Sequence, residues 1–273
     1  MTAIQRRTTT VDGRTVAWRH ADPPAGAPLT VYVHGVPTSG ADWEPFLERT
    51  GGVAPDQPGF GDSDPLPDPT MHAQADAIGA FVDATSPDPV DLVVHDWGAT
   101  GLLWALRCPD RVRRLVILNT VPLTPGYRWH PMARLWRTRG LGEAAMAAPG
   151  PLTAWLASHR TPLTREPVPA ALRGPIARGF PAPTKRTVLG LYRSADPDAL
   201  VAAGRGLAAF AGRATIVWGV RDPFIPSSFA DAMADAIGDG HGGPAALHRV
   251  DAGHWPWTSR PETIDLVAAA LTD

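Results

Sequence analysis

The fold of this chain is decided by the stretch Val93-Val94-His95-Asp96-Trp97-Gly98-Ala99. The apolar run before it, at 89–94, is typical of a buried strand, and residues 100–106 are apolar at helical spacing. A strand that turns at once into a helix leaves one side chain at the apex of a tight turn, and here that side chain is Asp96. Such a turn needs small residues so that one backbone segment can pass close to another. The last two residues of the quoted stretch meet that need.

The carboxylate at the apex predicts a particular chemistry. An aspartate, with a reference pKa of about 3.9, is ionised at neutral pH without the help of a base. It can attack an sp3 carbon that carries a leaving group, and the product is an alkyl ester on the enzyme. Water must then release that ester, so a histidine–carboxylate pair is required for the water and not for the nucleophile. The plainer alternative is that Asp96 only caps the following helix.

Composition limits the classes of function. The chain has 273 residues, of which 44% are hydrophobic, and this suits one α/β domain with one insertion. A net charge of -2 gives no basic surface for nucleic acid or an anionic membrane, so neither is expected as a partner. The N-terminal residues lack the apolar core of a signal peptide, and no apolar run reaches membrane-spanning length. The single cysteine, Cys108, is expected to be a packing residue, and a cytoplasmic location is predicted.

The order of elements along the chain predicts an α/β fold. Asp12-Gly13 separates two alternating runs and indicates a hairpin. Further strands are predicted at 29–33, 113–118, 214–218 and 247–250, and helices at 70–84 and 261–271. Strands that alternate with helices indicate a mostly parallel central sheet with helices on both faces. The Gly-rich turn at 58–61 lacks the Lys of a phosphate loop, and the sequence shows no metal-ligand cluster, so no cofactor or metal is expected.

The alternation of strands and helices breaks after Asn119. From Thr120 to about Gly206, prolines and apolar helical pieces replace the strands. The chain is therefore predicted to have a core domain made of residues 1–119 and 207–273 and a helical cap made of residues 120–206. A cap over the elbow would enclose a dry pocket in which a buried charge is strongly felt. The alternative is a second lobe that takes no part in the pocket.

Four short motifs, taken in order, resemble one family. They are His34-Gly35-Val36-Pro37 after a strand, His95-Asp96-Trp97-Gly98 at the elbow, Asp222 after Trp218-Gly219, and Gly253-His254 after the last strand. Together they resemble the branch of the α/β-hydrolases that holds epoxide hydrolases and haloalkane dehalogenases. The resemblance covers nearly the whole chain except the cap. The chain departs from the usual elbow of the wider fold in carrying Asp96 in place of Ser, and Val94 where a Gly is expected.

The resemblance implies an α/β-hydrolase fold and a set of roles. It implies Asp96 as nucleophile, His254 as the base for the hydrolytic water, Asp222 as the residue that orients the imidazole, and the backbone N–H groups of Val36 and Trp97 as the oxyanion hole. Some relatives carry the acid at the end of an earlier strand, where this chain has Asn119. An amide cannot be that carboxylate, which favours Asp222.

The leaving group separates two activities. An epoxide oxygen leaves as an alkoxide and needs a proton, which a cap Tyr supplies. Tyr192 lies in Leu191-Tyr192-Arg193, which resembles the segment that carries the ring-opening Tyr of epoxide hydrolases. Tyr127 is the candidate for a second cap Tyr. These residues predict an epoxide hydrolase that gives vicinal diols, and the plainer alternative for Tyr192 is a packing role.

A halide needs only N–H donors, which keeps a haloalkane dehalogenase as the alternative. The resemblance implies that the Trp97 indole would be one donor. Since Val36 stands where some dehalogenases carry an Asn, the second donor would come from the cap, whose tryptophans include Trp129, Trp136 and Trp155. The cap histidines His130 and His159 are further candidates for substrate contact. A third hypothesis is a non-catalytic receptor on the same scaffold. The expected ligand is small and apolar, and the expected state is a monomer or homodimer.

Overall fold

The computed structural model describes residues 3–148, 152, 155, 156, 159–161, 173, 180–237 and 245–272. Its strands form one eight-stranded sheet. They are β1 (Gln5–Val11), β2 (Arg14–Ala21), β3 (Thr30–Val33), β4 (Gly52–Pro55), β5 (Val90–Asp96), β6 (Val112–Thr120), β7 (Arg213–Gly219) and β8 (Ala246–Val250). Their spatial order is β1-β2-β4-β3-β5-β6-β7-β8, with β2 antiparallel to both β1 and β4 and the other pairs parallel. The predicted mostly parallel sheet is confirmed.

The helices of the described ranges connect the strands and follow the last one. They are α1 (Glu44–Thr50), α2 (Met71–Thr85), α3 (Ala99–Arg107), α4 (Pro131–Arg137), α5 (Leu141–Met146), α6 (Ala182–Ser194), α7 (Pro197–Ala203), α8 (Ser228–Ile237), α9 (Pro256–Ser259) and α10 (Glu262–Thr272). The helix predicted from residue 70 begins one residue later, because Thr70 is its cap: the hydroxyl accepts the N–H of Ala73.

The predicted hairpin joins β1 to β2. Asp12 has a φ of 48° and Gly13 a φ of 73°. Two successive left-handed residues form the tight turn whose twist matches that of the flanking strands. The two strands pair from Gln5 with His20 to Val11 with Arg14.

The central strands of the sheet are buried on both faces, as near-continuous apolar strands predict. Every residue of β5 is buried. Leu92 faces one side, in a cluster with Leu102 of α3, whereas Val93 faces the other, in a cluster with Phe46 of α1. Helices on both faces are therefore confirmed. The elbow lies at the carboxyl end of β5, near the middle of the sheet, where ligands of open α/β sheets bind.

Between β6 and β7 the described residues form the helices α4 to α7 and no strand. β6 runs two residues beyond its predicted end, so Asn119 lies inside the strand. None of the helices in the described ranges is long and apolar enough to span a bilayer. These ranges also hold no group of three or more His, Cys, Asp or Glu side chains that could bind a metal ion. The prediction that Cys108 is a packing residue is wrong, because α3 ends at Arg107 and leaves the thiol exposed.

Candidate active site

The strand and the helix of the quoted stretch meet in a tight turn with Asp96 at its apex. Only Trp97 and Gly98 separate the end of β5 from the start of α3. The φ of Asp96 is 50°, in the left-handed region that residues other than glycine rarely occupy. Such strain is concentrated at functional sites. Gly98 lets the turn pass close to β3, since a Cβ there would lie 2.3 Å from the carbonyl oxygen of Val33.

The unusual Val94 is accommodated by a glycine of the following helix. Val94 is fully buried on β5. A Cβ on Gly101 would lie 3.4 Å from Cγ1 of Val94 and 3.0 Å from Cγ2 of Val33. The two valine side chains therefore take the space that a side chain at position 101 would need. Because Gly101 has no side chain, α3 can pack on the sheet although Val94 replaces the usual Gly two residues before the apex.

The carboxylate of Asp96 is buried, and a backbone N–H group binds one of its oxygens. Its Oδ2 accepts a 2.8 Å hydrogen bond from the N–H of Val36. Burial raises the pKa of Asp96. The nearby His254 and the backbone N–H groups of Val36 and Trp97 oppose that rise. Gly35 lets the loop come this close, since a Cβ there would lie 2.4 Å from the Cβ of Asp96. Both predicted oxyanion-hole donors thus lie at the carboxylate.

His254 lies between two carboxylates. Its Nδ1 donates to Oδ2 of Asp222 over 2.7 Å. The other oxygen of Asp222 accepts the backbone N–H groups of Phe224, at 2.7 Å, and Ile225, at 3.0 Å. The Nε2 of His254 lies 3.7 Å from Oδ1 of Asp96. The folded sheet therefore brings the three predicted residues together from the end of β5 and from the loops that follow β7 and β8.

Two further histidines, each the first residue of a quoted motif, support the site through buried hydrogen bonds. The Nε2 of His95 donates to the backbone carbonyl of His254 over 2.8 Å. Burial, together with the neighbouring His254, lowers the pKa of His95 well below its usual value. Burial also lowers the pKa of His34 to about 4, and the Nε2 of His34 accepts the N–H of Gln57 at 2.9 Å. Both rings are therefore neutral supports, and their place next to the motif residues was the only sequence signal for them.

Sequence reasoning excluded Asn119 as the acid but missed what its amide does. The Nδ2 of Asn119 donates to Oδ2 of Asp222 over 2.8 Å. Its position at the carboxyl end of β6, beside the loop that carries Asp222, was the signal that could have indicated this contact.

Tyr192, on α6, lies over the elbow. Its ring meets the ring of Trp97 edge-to-face, with centroids 5.1 Å apart. It also packs against Trp129 and Trp136. Burial raises the pKa of Tyr192 well above 10, and the charge of Asp96 raises it further. The phenol is therefore protonated and within electrostatic reach of the predicted nucleophile.

Tyr127 lies next to Tyr192 but in a different aromatic setting. Its ring packs edge-to-face on Trp129 and on Phe229 of α8. The proximity of Tyr127 contributes to the raised pKa of Tyr192. The two predicted cap tyrosines are thus near one another.

The tryptophans predicted as halide donors differ in what their indole N–H groups do. The Nε1 of Trp97 is buried and has no hydrogen-bond partner at normal geometry within the described part of the chain. The Trp97 side chain is nevertheless close enough to act as a weak donor to the phenol of Tyr192, which lowers the pKa of Tyr192. By contrast, the Nε1 of Trp129 donates to the carbonyl of Ala195 over 2.8 Å. Trp155 is 52% exposed. Of the three cap candidates, only Trp136 is compatible with a second donor at the site.

The two cap histidines lie in different surroundings. His130 caps α4, and its ring centroid lies 5.0 Å from that of Phe224, whose ring in turn meets that of His254. His159 is exposed and stacks on Trp155. His130 is therefore at the edge of the site, whereas His159 is on the exposed surface beside Trp155.

Comparisons with known proteins agree with this geometry. A family model described as alpha/beta hydrolase fold matches residues 28–259. Epoxide hydrolase 2 of Siraitia grosvenorii is 38% identical over 102 residues, which are 34% of this chain and 32% of that protein. A haloalkane dehalogenase of Agrobacterium fabrum is 39% identical over 103 residues, which are 36% of this chain and 34% of that protein. These matches span about a third of the length of each relative.

A solved structure agrees over a much longer range. The haloalkane dehalogenase DbeA from Bradyrhizobium elkani superposes with a TM-score of 0.77 and 25% identity, covering 99% of this chain and 98% of that one. Because the family model matches most of the sequence, the chain belongs to the α/β-hydrolase fold family, and it is similar to proteins named epoxide hydrolase and haloalkane dehalogenase.

Proposed function

We propose that this hydrolase works through a covalent alkyl ester on Asp96 and that its substrates are epoxides, which it converts to vicinal diols. In the first step an oxygen of Asp96 attacks an sp3 carbon of the substrate. The attacking atom is Oδ1, because Oδ2 is bound by the N–H of Val36. The N–H groups hold Oδ2 in place as it becomes the carbonyl oxygen of the ester.

The second step hydrolyses that ester. His254, with its Nδ1 bound to Asp222, takes a proton at Nε2 from a water that attacks Cγ of Asp96. Negative charge then develops on Oδ2, where the N–H groups of Val36 and Trp97 stabilise it. Asp222 stabilises the imidazolium that forms. Collapse of the intermediate breaks the bond between Cγ and the substrate oxygen, and His254 gives its proton to that departing oxygen, which leaves as the alcohol. The proton left on the Asp96 carboxyl is then lost and restores the phenol of Tyr192, so the carboxylate and the acid are both regenerated.

The buried phenol of Tyr192 beside Trp97 is the observation that carries the assignment to epoxides. An epoxide oxygen leaves as an alkoxide and must be protonated as the ring opens. Tyr192 is buried, its ring touches that of Trp97, and its pKa is raised by burial and by the charge of Asp96. A phenol in that position can donate its proton to an oxygen that leaves as Asp96 attacks. Tyr127 is the candidate for a second donor to the same oxygen.

A haloalkane dehalogenase is the second candidate, and one feature favours it. The buried N–H of Trp97 has no partner in the described residues, and an orphaned donor beside the nucleophile suits a departing halide. A halide needs no proton, so Tyr192 would then only pack. A receptor without turnover is the weakest of the three hypotheses, because the chain belongs to a family of hydrolases.

The segment 120–206 is proposed as the cap of this site, over a core made of residues 1–119 and 207–273. Trp129 and Tyr192 of this segment pack on Trp97 of the elbow, and Tyr127 packs on Trp129. Their rings are buried and apolar, which suits a small apolar substrate. Excluding water there strengthens the electrostatic interactions on which both steps depend.

Product analysis with epoxides and bromoalkanes tests the proposal. The wild type is expected to form diols from epoxides. Asp96→Asn should abolish turnover, and His254→Gln should accumulate a protein heavier by the mass of the substrate. Tyr192→Phe should slow epoxide opening by about 100-fold or more, as loss of a general acid does. Tyr32→Phe is the matched control, because Tyr32 is a buried tyrosine of β3 bonded to Thr50.

Each outcome decides between the readings. Bromide release without diol formation, lost in Trp97→Phe and kept in Tyr192→Phe, would establish the dehalogenase. Full turnover by Asp96→Asn would refute the covalent mechanism for either substrate class.

A further inference from the structure

Asn119 occupies an irregularity of the sheet directly opposite the elbow. In the pairing of β5 with β6, His95 lies opposite Leu118 and Asp96 lies opposite Thr120, so Asn119 is an extra residue. Its φ is 32°, one of three positive values among residues other than glycine in the described chain. A bulge of this kind turns a side chain away from the direction that the strand would give it.

The bulge directs the amide of Asn119 at the end of β7. The regular pairing of β6 with β7 stops at Leu118 with Val217. Beyond it, the N–H of Gly219 donates to Oδ1 of Asn119 over 2.8 Å, and Nδ2 of Asn119 approaches the carbonyl of Gly219 at 3.2 Å. The amide of Asn119 thus bonds to the backbone of β7 at the point where the regular backbone pairing of β6 with β7 has ended. Because Oδ1 accepts from a backbone N–H, the orientation of the amide is fixed with Nδ2 as the donor.

That donor meets the oxygen of Asp222 on which His254 depends. The Nδ2 of Asn119 lies 2.8 Å from Oδ2 of Asp222, and the Nδ1 of His254 lies 2.7 Å from the same atom. Oδ1 of Asp222 is taken by the N–H groups of Phe224 and Ile225. The carboxylate is therefore bound at both oxygens, and the donor that holds Oδ2 against His254 is the Asn119 amide.

We propose that Asn119 is a positioning residue for the hydrolytic step: its amide fixes the Asp222 oxygen that orients His254 while His254 activates water. This inference rests on the proposed covalent mechanism. The amide contacts neither the substrate nor the nucleophile's carboxylate, so its effect passes through Asp222 and His254. Attack by Asp96 on the substrate needs no base, so that step does not use Asn119. Water activation needs a correctly placed imidazole, so that step does.

Two substitutions of Asn119 distinguish the role of Nδ2 as a donor to Asp222 from the role of the left-handed backbone at this position. Asn119→Asp keeps the shape of the side chain and can still accept the N–H of Gly219, but it puts an oxygen in place of Nδ2. Asn119→Gly removes the side chain and tolerates the left-handed backbone. Gln74→Leu is the control for loss of a buried amide elsewhere, because Nε2 of Gln74 bonds only the carbonyl of Pro58 among the described residues.

Single-turnover kinetics with an epoxide should show the two steps diverging. In Asn119→Gly the rate of ester formation should stay within about twofold, and ester hydrolysis should fall roughly 10-fold to 100-fold, as expected for a lost hydrogen bond to a charged group. Ester should therefore accumulate. Gln74→Leu should leave the ratio of the two rates unchanged.

The Asn119→Asp variant should add a pH dependence that would not arise if the side chain of Asn119 only filled space. Two carboxylates in contact share one proton. The shared proton reproduces the donor of the amide, and its loss sets two negative charges against each other. The hydrolysis rate of Asn119→Asp should therefore fall as pH rises, with a basic limb that the wild type lacks. Asp96 and the neutral His95 also face His254, and both are unchanged in the variant.

A spectroscopic measurement keeps this inference separate from the proposed function. The downfield proton resonance of the hydrogen bond between His254 and Asp222 should shift or broaden in both Asn119 variants and not in Gln74→Leu. If neither the wild type nor any variant forms an ester, the covalent mechanism is refuted. The proton resonance of the hydrogen bond between His254 and Asp222 then still tests whether Asn119 positions Asp222. If the resonance and the hydrolysis rate stay as in the wild type, or if both kinetic steps fall together, Asn119 is not a positioning residue.

Discussion

The indole rings of Trp97 and Trp129 are stacked, with centroids 5.6 Å apart and planes 13° apart, but among the described residues only the N–H of Trp129 has a hydrogen-bond partner at normal geometry. Trp129 donates to the carbonyl of Ala195, whereas the N–H of Trp97 is buried and unbonded among the described residues. Trp129 therefore has a structural hydrogen bond, whereas the indole donor of Trp97 is held by no hydrogen bond of normal geometry among the described residues and can bind a ligand.

This difference predicts opposite results for two similar substitutions. Trp97→Phe keeps an aromatic ring over the elbow but removes the free donor. It should weaken competitive inhibition by bromide about 10-fold or more, because a hydrogen bond to an anion is lost. Trp129→Phe should leave the bromide inhibition constant unchanged and instead lower the free energy of unfolding by about 1 kcal/mol, the usual effect of one lost hydrogen bond. Equal loss of bromide binding in both variants would contradict the assignment.

The hydrogen bond from His95 to the carbonyl of His254 predicts a role in stability. Removal of the donor takes one hydrogen bond from a buried carbonyl, which costs about 1 kcal/mol. His95→Leu should therefore unfold at a lower urea concentration than the wild type, and His95→Gln should recover part of the loss. His248→Gln is the control, since His248 is exposed on β8. Wild-type stability of His95→Leu would show that this bond contributes nothing.

The order of elements and the elbow could be predicted from local patterns. The apolar run before Asp96 and the helical spacing after it predicted β5 and α3, because burial on both faces of a parallel sheet leaves a continuous apolar strand. The dipeptide Asp12-Gly13 predicted the hairpin, because few residues adopt the left-handed conformation that its turn requires. Signals of this kind depend on neighbours in sequence, so one sequence was enough.

The contacts that define the site depend on the folded sheet and could not be predicted from such patterns. The bulge at Asn119 is visible only when β6 is paired with β5, and its amide meets Asp222 across 103 positions of sequence. The spacing of the tryptophans likewise did not indicate that the N–H of Trp129 is bound to Ala195. The compensation of Val94 by Gly101 is also a property of packing between two elements.

Tyr192 predicts the pH range of epoxide opening. The phenol is an acid and acts only when protonated, and its pKa is raised well above 10 by burial and by Asp96. Ester formation should therefore show no basic limb up to about pH 10, where a phenol with the reference pKa would be half ionised. Stopped-flow measurement of the first turnover between roughly pH 7 and pH 10 checks this. A fall in that rate well below pH 10 would exclude Tyr192 as the proton donor.

Asp42 predicts how the stability of the fold depends on pH. Its carboxyl is buried on the turn that follows the oxyanion loop, and neither of its oxygens has a hydrogen-bond partner of normal geometry among the described residues. Burial raises its pKa from 3.8 to about 7, and the charge of Asp96 contributes to the rise. The folded chain therefore retains a proton that the unfolded chain releases at lower pH.

The free energy of unfolding should consequently fall as pH rises from about 4 to about 7, by up to about 4 kcal/mol from this one group. Above that range both states are ionised at Asp42, and the loss is complete. Asp42→Asn cannot ionise, so its stability should lack this part of the slope, whatever its absolute value. Asp68→Asn, at an exposed carboxylate, is the control and should keep the wild-type slope. Urea unfolding at a series of pH values measures both, and parallel curves for the wild type and Asp42→Asn would show that Asp42 is already ionised in the folded protein at low pH.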